Sequence, residues 1–192
     1  MPFVMLPPPR PLQPIESIKA ILSANRLTII GLFPAYDERA HIVLLGIRGY
    51  YADLGAPGND RNIYDDAMFI VSPSVYAAFN ANTDPSLFRP GIASLKAGVW
   101  LYKKGKHPLH PKPGKTNYDA LRQAAPVTVI RDGGKEETGL FGINIHRGGR
   151  NSTGSEGCQT IYPDQWDAFI ETAYAEMTRC QQAVVPYVLT VL

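Results

Sequence analysis

Proline and glycine recur along this whole chain, and they most restrict what it can fold into. The 192 residues include 17 prolines and 17 glycines, and both residue types interrupt regular structure and mark turns. This pattern favours short elements joined by many turns and loops over a helical bundle. The length suffices for one domain with a hydrophobic core, or for such a domain with a small appendage.

Runs of aliphatic and β-branched residues between the breakers predict a strand-rich domain. The predicted strands are 27–33, 41–48, 67–72, 98–103, 127–130, 140–146 and 187–192. A helix is predicted over 15–25, and a second begins at Asp164, after which apolar residues from Trp166 to Met177 recur at helical spacing. Helical turns are expected at 74–79 and 118–123, and loops at 80–90 and 105–115. The fold class is therefore α+β and β-rich, with a few short helices and a helix near the C-terminus.

The first fourteen residues differ from the rest by their proline content. Residues 1–14 predict an extended N-terminal arm with polyproline character, which either lies over the domain or hangs free. Residues 15–192 show no internal repeat and no second boundary, so we expect them to form a single domain.

Charge and hydropathy argue against several classes of partner. The net charge is only +2 and no dense block of lysine and arginine occurs, so nucleic acid is not an expected partner. No apolar run approaches the ~18 residues of a membrane span. No secretory signal is recognised, and two cysteines do not form a disulfide framework. We expect synthesis in the cytoplasm, with any role outside it depending on release or export.

One histidine and one cysteine flank a glycine-rich loop, and together they predict a thiol nucleophile. His146 ends a predicted strand, and Cys158 follows four glycines of the loop. An imidazole can take the thiol proton, and backbone N–H groups near Gly157 and Cys158 can stabilise an oxyanion. Ser155 is placed to hydrogen-bond either the imidazole or the loop backbone. The loop glycines are Gly148, Gly149, Gly154 and Gly157.

The same residue types also suit three other roles. A packed, inert Cys158 would make the chain a non-catalytic binding protein. A zinc site built from His107, His110, His146 and Cys158 lacks a supporting HExxH or CxxC pattern, so no metal or cofactor is predicted. Cys180, at helical spacing from Met177, is assigned to core packing. A working thiol should react with iodoacetamide well below the ~8.5 pKa of a free thiol, and a packed one should resist.

The segments 145–148 (IHRG) and 155–158 (SEGC) resemble the signature of the L,D-transpeptidase catalytic-domain family, which has a His-x-Gly element, a glycine-rich loop and a Ser-x-Gly-Cys element. The resemblance covers about 142–160. It implies a sandwich-like β-rich scaffold and chemistry on peptidoglycan stem peptides through a thioacyl-enzyme. It also implies Cys158 as nucleophile, His146 as base, and Ser155 and Gly157 as residues of the supporting loop.

The chain departs from the family pattern beside the cysteine. Thr160 stands where the family usually has an arginine, and the loop is shorter than is common. A substrate carboxylate would then need another cation, for which Arg147 and Arg150 are candidates, with Gln159 supplying part of the hydrogen bonding but not the charge. We also assign Gly148 and Tyr102 to substrate binding, the latter as a strand residue that lines the cleft.

These features together predict a cysteine-dependent peptidoglycan hydrolase, similar to endolysins of phages or to bacteriolytic effector proteins. One alternative is an L,D-transpeptidase that forms cross-links, and the other is the non-catalytic binding protein. Hydrolysis is preferred because no signal, anchor or wall-binding module of a resident cross-linking enzyme is recognised.

Overall fold

A computed structural model describes residues 9–51, 61–107, 113 and 116–191 of the chain. The described part contains three α-helices and eleven strands. The helices are α1 (Ile15–Ala24), α2 (Arg26–Leu32) and α3 (Trp166–Arg179), the last preceded by a 3-10 helix at Pro163–Gln165. The strands are β1 (Val43–Arg48), β2 (Asp66–Val71), β3 (Tyr76–Asn82), β4 (Ala93–Leu95), β5 (Gly98–His107), β6 (Tyr118–Gln123), β7 (Val127–Arg131), β8 (Glu136–Gly139), β9 (Ile145–Arg147), β10 (Gln159–Ile161) and β11 (Val184–Val191).

Eight of these strands form one mixed sheet that closes on itself, in the order β1-β11-β5-β6-β9-β10-β3-β2. The pairs β1–β11 and β9–β10 are parallel, and the other neighbours in this sheet are antiparallel. The remaining strands form a small sheet in the order β4-β7-β8. The prediction of a strand-rich α+β domain with a helix near the C-terminus is confirmed.

Both faces of strands β1 and β2 are covered, which explains why these two strands read as continuous apolar runs. Leu44 and Ile70 join a core cluster that contains the apolar face of α3 and residues of the small sheet. Leu45 follows Leu44 on β1, and Phe69 precedes Ile70 on β2. These two residues join a second cluster with α1 and α2. Successive side chains of a strand point to opposite faces, so β1 and β2 are buried on both.

Four segments differ most from the sequence-based expectations. Residues 27–32 lie in helix α2 rather than in a strand, because a short apolar run fits a helix as well as a strand; of this helix only Ile29 is buried. Residues 118–123 form strand β6, since they pair with β5 along their length. Residues 76–82 form strand β3 instead of a helical turn followed by loop. Of the strand expected at 140–146, only its end is regular structure, as the start of β9.

The described part of the N-terminal arm lies over the domain. The Tyr50 hydroxyl donates to the Leu12 carbonyl at 3.0 Å and accepts from the Leu12 N–H at 3.1 Å. The Tyr76 hydroxyl donates to the Gln13 carbonyl at 2.6 Å. Of the two arrangements considered for the arm, residues 9–14 adopt the docked one; residues 1–8 lie outside the described residues.

None of the helices in the described ranges is both long enough and apolar enough to cross a membrane.

Candidate active site

Two parallel neighbouring strands bring the predicted histidine and cysteine into one region. Thr160 of β10 pairs with His146 of β9, and the Gln159 N–H donates to the Asn144 carbonyl at 2.8 Å. Cys158, one residue before β10, therefore lies beside Asn144. His146 is two positions further along the adjacent strand, diagonally across from the cysteine.

The thiol and the imidazole are not hydrogen-bonded to one another. The Cys158 Sγ accepts from the Asn144 N–H at 3.3 Å and donates to the Gly142 carbonyl at 3.4 Å. The His146 Nδ1 lies 2.8 Å from the Arg147 carbonyl oxygen. Because that oxygen can only accept, the hydrogen of a neutral imidazole belongs on Nδ1, and Nε2 keeps the lone pair that a general base needs.

Two residues, His107 and Tyr118, lie against His146. The sequence placed His107 near it only as a candidate zinc ligand and did not connect Tyr118 with the site. The His107 ring stacks on the His146 ring, with centroids 4.2 Å apart and planes 7° from parallel. The Tyr118 hydroxyl is 3.5 Å from the His146 Nδ1. Burial raises the Tyr118 pKa, with the Arg147 charge opposing the rise and the Cys158 charge adding to it. His107 ends strand β5 and is half-buried, which corrects its assignment to the loop predicted at 105–115.

Burial keeps His146 neutral. The side chain is 5% exposed, and loss of hydration lowers the pKa of His146 to about 4, with the His107 charge acting in the same direction and the Arg147 carbonyl opposing it. His146 is therefore an unprotonated imidazole at neutral pH.

Burial also keeps the thiol protonated. It raises the pKa of Cys158 to about 11, with the Asn144 N–H opposing the rise. The sequence left open whether Cys158 is a reactive or a packed thiol. In the resting site its pKa lies above the ~8.5 of a free thiol, because burial removes water from the sulfur and the imidazole is not hydrogen-bonded to it. The resting pair is a neutral thiol and a neutral imidazole.

Ser155 organises the backbone on either side of the nucleophile. Its hydroxyl donates to the Cys158 carbonyl at 2.6 Å and accepts from the Gly157 N–H at 3.0 Å. Of the two partners left open for Ser155, the structure thus gives it the loop backbone. Its own backbone is tied to Ser86 by two 2.7 Å bonds, which fixes the loop against the 80–86 segment.

Gly157 and Gln159 also lie close to the thiol. Gly157 has φ +145°, and a Cβ there would be 2.6 Å from the Ala93 carbonyl oxygen, so the close approach to β4 requires glycine. Gln159 is fully buried and its Nε2 donates to the Gly157 carbonyl at 3.2 Å. It therefore contacts the loop, and a direct contact with substrate is closed to it in this structure.

A cleft of about 460 Å³ opens beside Cys158. Arg89 and Arg131 line it, together with Phe141 and Glu156. Arg89 forms an ion pair with Glu156 at 3.0 Å. These two arginines were missed in the sequence, although each stands at a turn signal, before Pro-Gly and before Asp-Gly-Gly respectively.

The arginines predicted from the loop lie elsewhere. Arg147 is exposed and its guanidinium sits 5.0 Å above the Tyr118 ring. Arg150 is exposed and forms an ion pair with Asp164. Neither lines the cleft at Cys158.

The other two predicted substrate contacts are packed residues. Tyr102 has no exposed surface and meets the Tyr187 ring edge-on at 5.6 Å, so it belongs to the core and does not line the cleft. Gly148 is buried, and a Cβ there would overlap the Tyr64 hydroxyl.

A second cleft, of about 490 Å³, lies between α1 and the start of β1. Its lining includes Lys19, Arg39 and His41 but no residue of the 142–166 segment. Within the described ranges no group of three or more His, Cys, Asp or Glu side chains is arranged to hold a metal ion. His110, considered for such a site, is outside those ranges.

Comparisons with protein-family models, with curated proteins and with solved structures each found no match. Function is therefore inferred from the chemistry of the site.

Proposed function

We propose that this chain is a thiol acyl-transfer enzyme that hydrolyses peptide bonds of peptidoglycan, with Cys158 as nucleophile and His146 as general base. One observation carries the proposal: beside the cleft that Cys158 lines, the Cys158 N–H has no hydrogen-bond partner among the described residues. The Gly157 N–H, Gly157 carbonyl and Cys158 carbonyl next to it are all hydrogen-bonded. A free N–H on the nucleophile residue is what an oxyanion needs.

The first half-reaction forms a thioester. His146 Nε2 takes the proton from the Cys158 Sγ as the sulfur attacks the substrate carbonyl carbon, and the oxyanion accepts a hydrogen bond from the Cys158 N–H. Collapse of this intermediate breaks the C–N bond, and the imidazolium gives its proton to the leaving amine. Water then attacks the thioester with His146 again as base, which releases the acid and restores the thiol.

Substrate binding has to bring the sulfur and the imidazole together. The two hydrogen bonds that hold Sγ at 3.3 and 3.4 Å are long, and exchanging such bonds costs only about 1 kcal/mol each. Catalytic hydrogen bonds are often formed only in the complex with substrate. A neutral pair suits this order of events, because proton transfer then accompanies attack.

The cleft supports a substrate that carries carboxylates. Arg89 and Arg131 lie on the cleft beside Cys158 and replace Arg147 and Arg150 as candidates for that contact. Peptidoglycan stem peptides have free carboxylates, and the IHRG and SEGC segments favour the L,D-transpeptidase-like scaffold that acts on them. The proposed enzyme reaches the periplasmic wall by release or export, as an endolysin or a bacteriolytic effector does.

The test is digestion of purified sacculi followed by mass spectrometry. Wild-type protein and a Cys180→Ala control should release trimmed muropeptides, and Cys158→Ala should release none above background. Release by Cys158→Ala at the wild-type rate would refute the assigned nucleophile. New cross-linked dimers would instead identify a transpeptidase, and binding without any product would identify a non-catalytic protein.

A further inference from the structure

Gln159 is a buried polar side chain directly after the nucleophile. Both polar atoms of its side-chain amide are hydrogen-bonded. Its Nε2 donates to the Gly157 carbonyl at 3.2 Å. Its Oε1 accepts from the Tyr187 hydroxyl at 3.1 Å. Both Gln159 and Tyr187 have no exposed surface, so this chain of hydrogen bonds is out of reach of substrate and solvent.

The bond to the Gly157 carbonyl determines where the Cys158 N–H points. The peptide unit between Gly157 and Cys158 is planar and trans, so its C=O and its N–H point in opposite directions. Gln159 draws the carbonyl oxygen toward the buried side. The Cys158 N–H is thereby directed away from the interior, toward the side on which Gly157 and Cys158 line the cleft.

This peptide unit needs such a restraint because its first residue is glycine. Gly157 has φ +145° and no Cβ to resist rotation of the following peptide. A rotated peptide would present the Gly157 carbonyl oxygen, instead of an N–H, to the developing oxyanion. Ser155 holds the two flanking groups, the Gly157 N–H and the Cys158 carbonyl, but does not touch the unit itself.

Tyr187 fixes the orientation of the Gln159 amide. A half-turn of that amide would place Oε1 against the Gly157 carbonyl oxygen, where two acceptors repel. The Tyr187 hydroxyl donates to Oε1, and burial raises the Tyr187 pKa so that it stays protonated. The Tyr187 phenol in turn packs against Gly46 of strand β1. A Cβ at Gly46 would overlap the Tyr187 hydroxyl, so this glycine makes room for it.

We infer that Gln159 and Tyr187 are positioning residues that aim the Cys158 N–H at the oxyanion of the acyl-transfer step. The inference rests on the proposed function for its chemistry, but it concerns the peptide unit and is independent of which acyl group is transferred. It predicts that substitutions of Gln159 or Tyr187 slow attack of the Cys158 sulfur on a carbonyl carbon. The rate of its attack on a saturated carbon should not change, since only attack on a carbonyl creates an oxyanion.

The experiment compares two reactions of the same sulfur. Acylation by p-nitrophenyl acetate passes through an oxyanion, whereas alkylation by iodoacetamide does not; both are measured at about pH 9 with mass mapping of the modified cysteine. Gln159→Met should lower the acylation rate about 100-fold, the loss typical of an oxyanion donor, and leave alkylation within about twofold of wild type. Tyr187→Phe should lower acylation about tenfold, which corresponds to about 1.4 kcal/mol of lost orientation.

Gln165→Met is the matched control, because Gln165 is also buried and also bonds a backbone group, the Asn80 N–H at 2.8 Å. It should change neither rate, and thermal unfolding of all variants reports on folding. If Gln159→Met does not fold, Tyr187→Phe carries the test. Equal losses of acylation and alkylation, or no loss of acylation, would overturn the inference.

The behaviour of the wild-type protein distinguishes failure of the positioning role from failure of the proposed function. A wild type that is acylated at Cys158 but releases nothing from sacculi has the wrong substrate assigned, and the variant ratios still decide on Gln159 and Tyr187. A wild type that is alkylated but never acylated at Cys158 overturns both.

Discussion

The His107 imidazole lies face to face with the His146 imidazole, 4.2 Å between centroids. Two cations at that separation repel strongly, so the pair resists holding two protons. His107 is itself half-buried, and its pKa is lowered by burial and by the Arg122 charge. The stack therefore helps His146 remain the unprotonated base at acidic pH.

Replacing His107 should move the pH dependence of the reaction. In His107→Phe the ring contact persists but the nearby charge is gone, so the pKa of His146 rises from about 4. Because the neutral imidazole is the active form, the acid limb of the rate profile should shift to higher pH. The profile of kcat/KM for release of muropeptides measures this. His41→Phe, at a histidine remote from the thiol, is the control; an unshifted or downward-shifted limb in His107→Phe would contradict the role.

The resting thiol should be slow to alkylate at neutral pH. With a pKa of about 11, its thiolate fraction at pH 7 is on the order of 100-fold smaller than that of a free thiol of pKa ~8.5. Iodoacetamide kinetics across the pH range measure the midpoint directly. His146→Ala should leave alkylation unchanged while lowering acyl transfer about 10²- to 10⁴-fold. A midpoint near or below 7 that rises in His146→Ala would show a preformed ion pair instead.

The cleft arginines should govern substrate affinity. Arg131→Ala should raise KM about 10- to 100-fold with little change in kcat, because a charge-assisted hydrogen bond to a carboxylate contributes about 1.5–3 kcal/mol. Arg89→Ala should act in the same direction. Arg147→Ala and Arg150→Ala are matched controls, since both side chains are exposed and lie off the cleft. Wild-type KM values for both Arg131→Ala and Arg89→Ala would refute the proposed contact with a substrate carboxylate.

Glu176 should stabilise the fold in a pH-dependent way. Hydrogen bonds from Arg179, Ser72 and Ser74 lower the pKa of Glu176 from 4.5 to about 2. A carboxyl with a lowered pKa stabilises the folded state above its unfolded pKa, and this stabilisation is lost as pH falls from about 4.5 through about 2. Glu176→Gln should therefore lose about 2–3 kcal/mol of unfolding free energy at pH 7.

Urea unfolding at several pH values checks this prediction. The difference between wild type and Glu176→Gln should shrink steadily below pH ~4.5. Glu171→Gln, at an exposed position of the same helix, should show almost no difference at any pH. A Glu176→Gln deficit that is independent of pH would mean that packing, rather than the charge, is responsible.

Local pattern was enough for part of the fold. Helix α3 was expected because its apolar residues recur at helical spacing, and β1, β2, β5 and β7 were expected from their aliphatic runs. Segments 27–33 and 118–123 were assigned wrongly because their short apolar or mixed runs suit either conformation. Pairing with β5 makes the latter a strand, and residues 108–117 of the chain stand between the two partners.

The sequence by itself determined the chemical candidates: a histidine, a glycine-rich loop with Ser155, and a cysteine, arranged within one local motif. Only the tertiary structure decided their state and their partners. Arg89, Arg131, His107 and Tyr118 reach the site from separate turns and strands, and the pKa of Cys158 depends on how much water the fold removes from the sulfur. The physical reason is that periodicity and motifs are properties of neighbouring residues, whereas burial and strand pairing depend on packing free energy summed over the whole core.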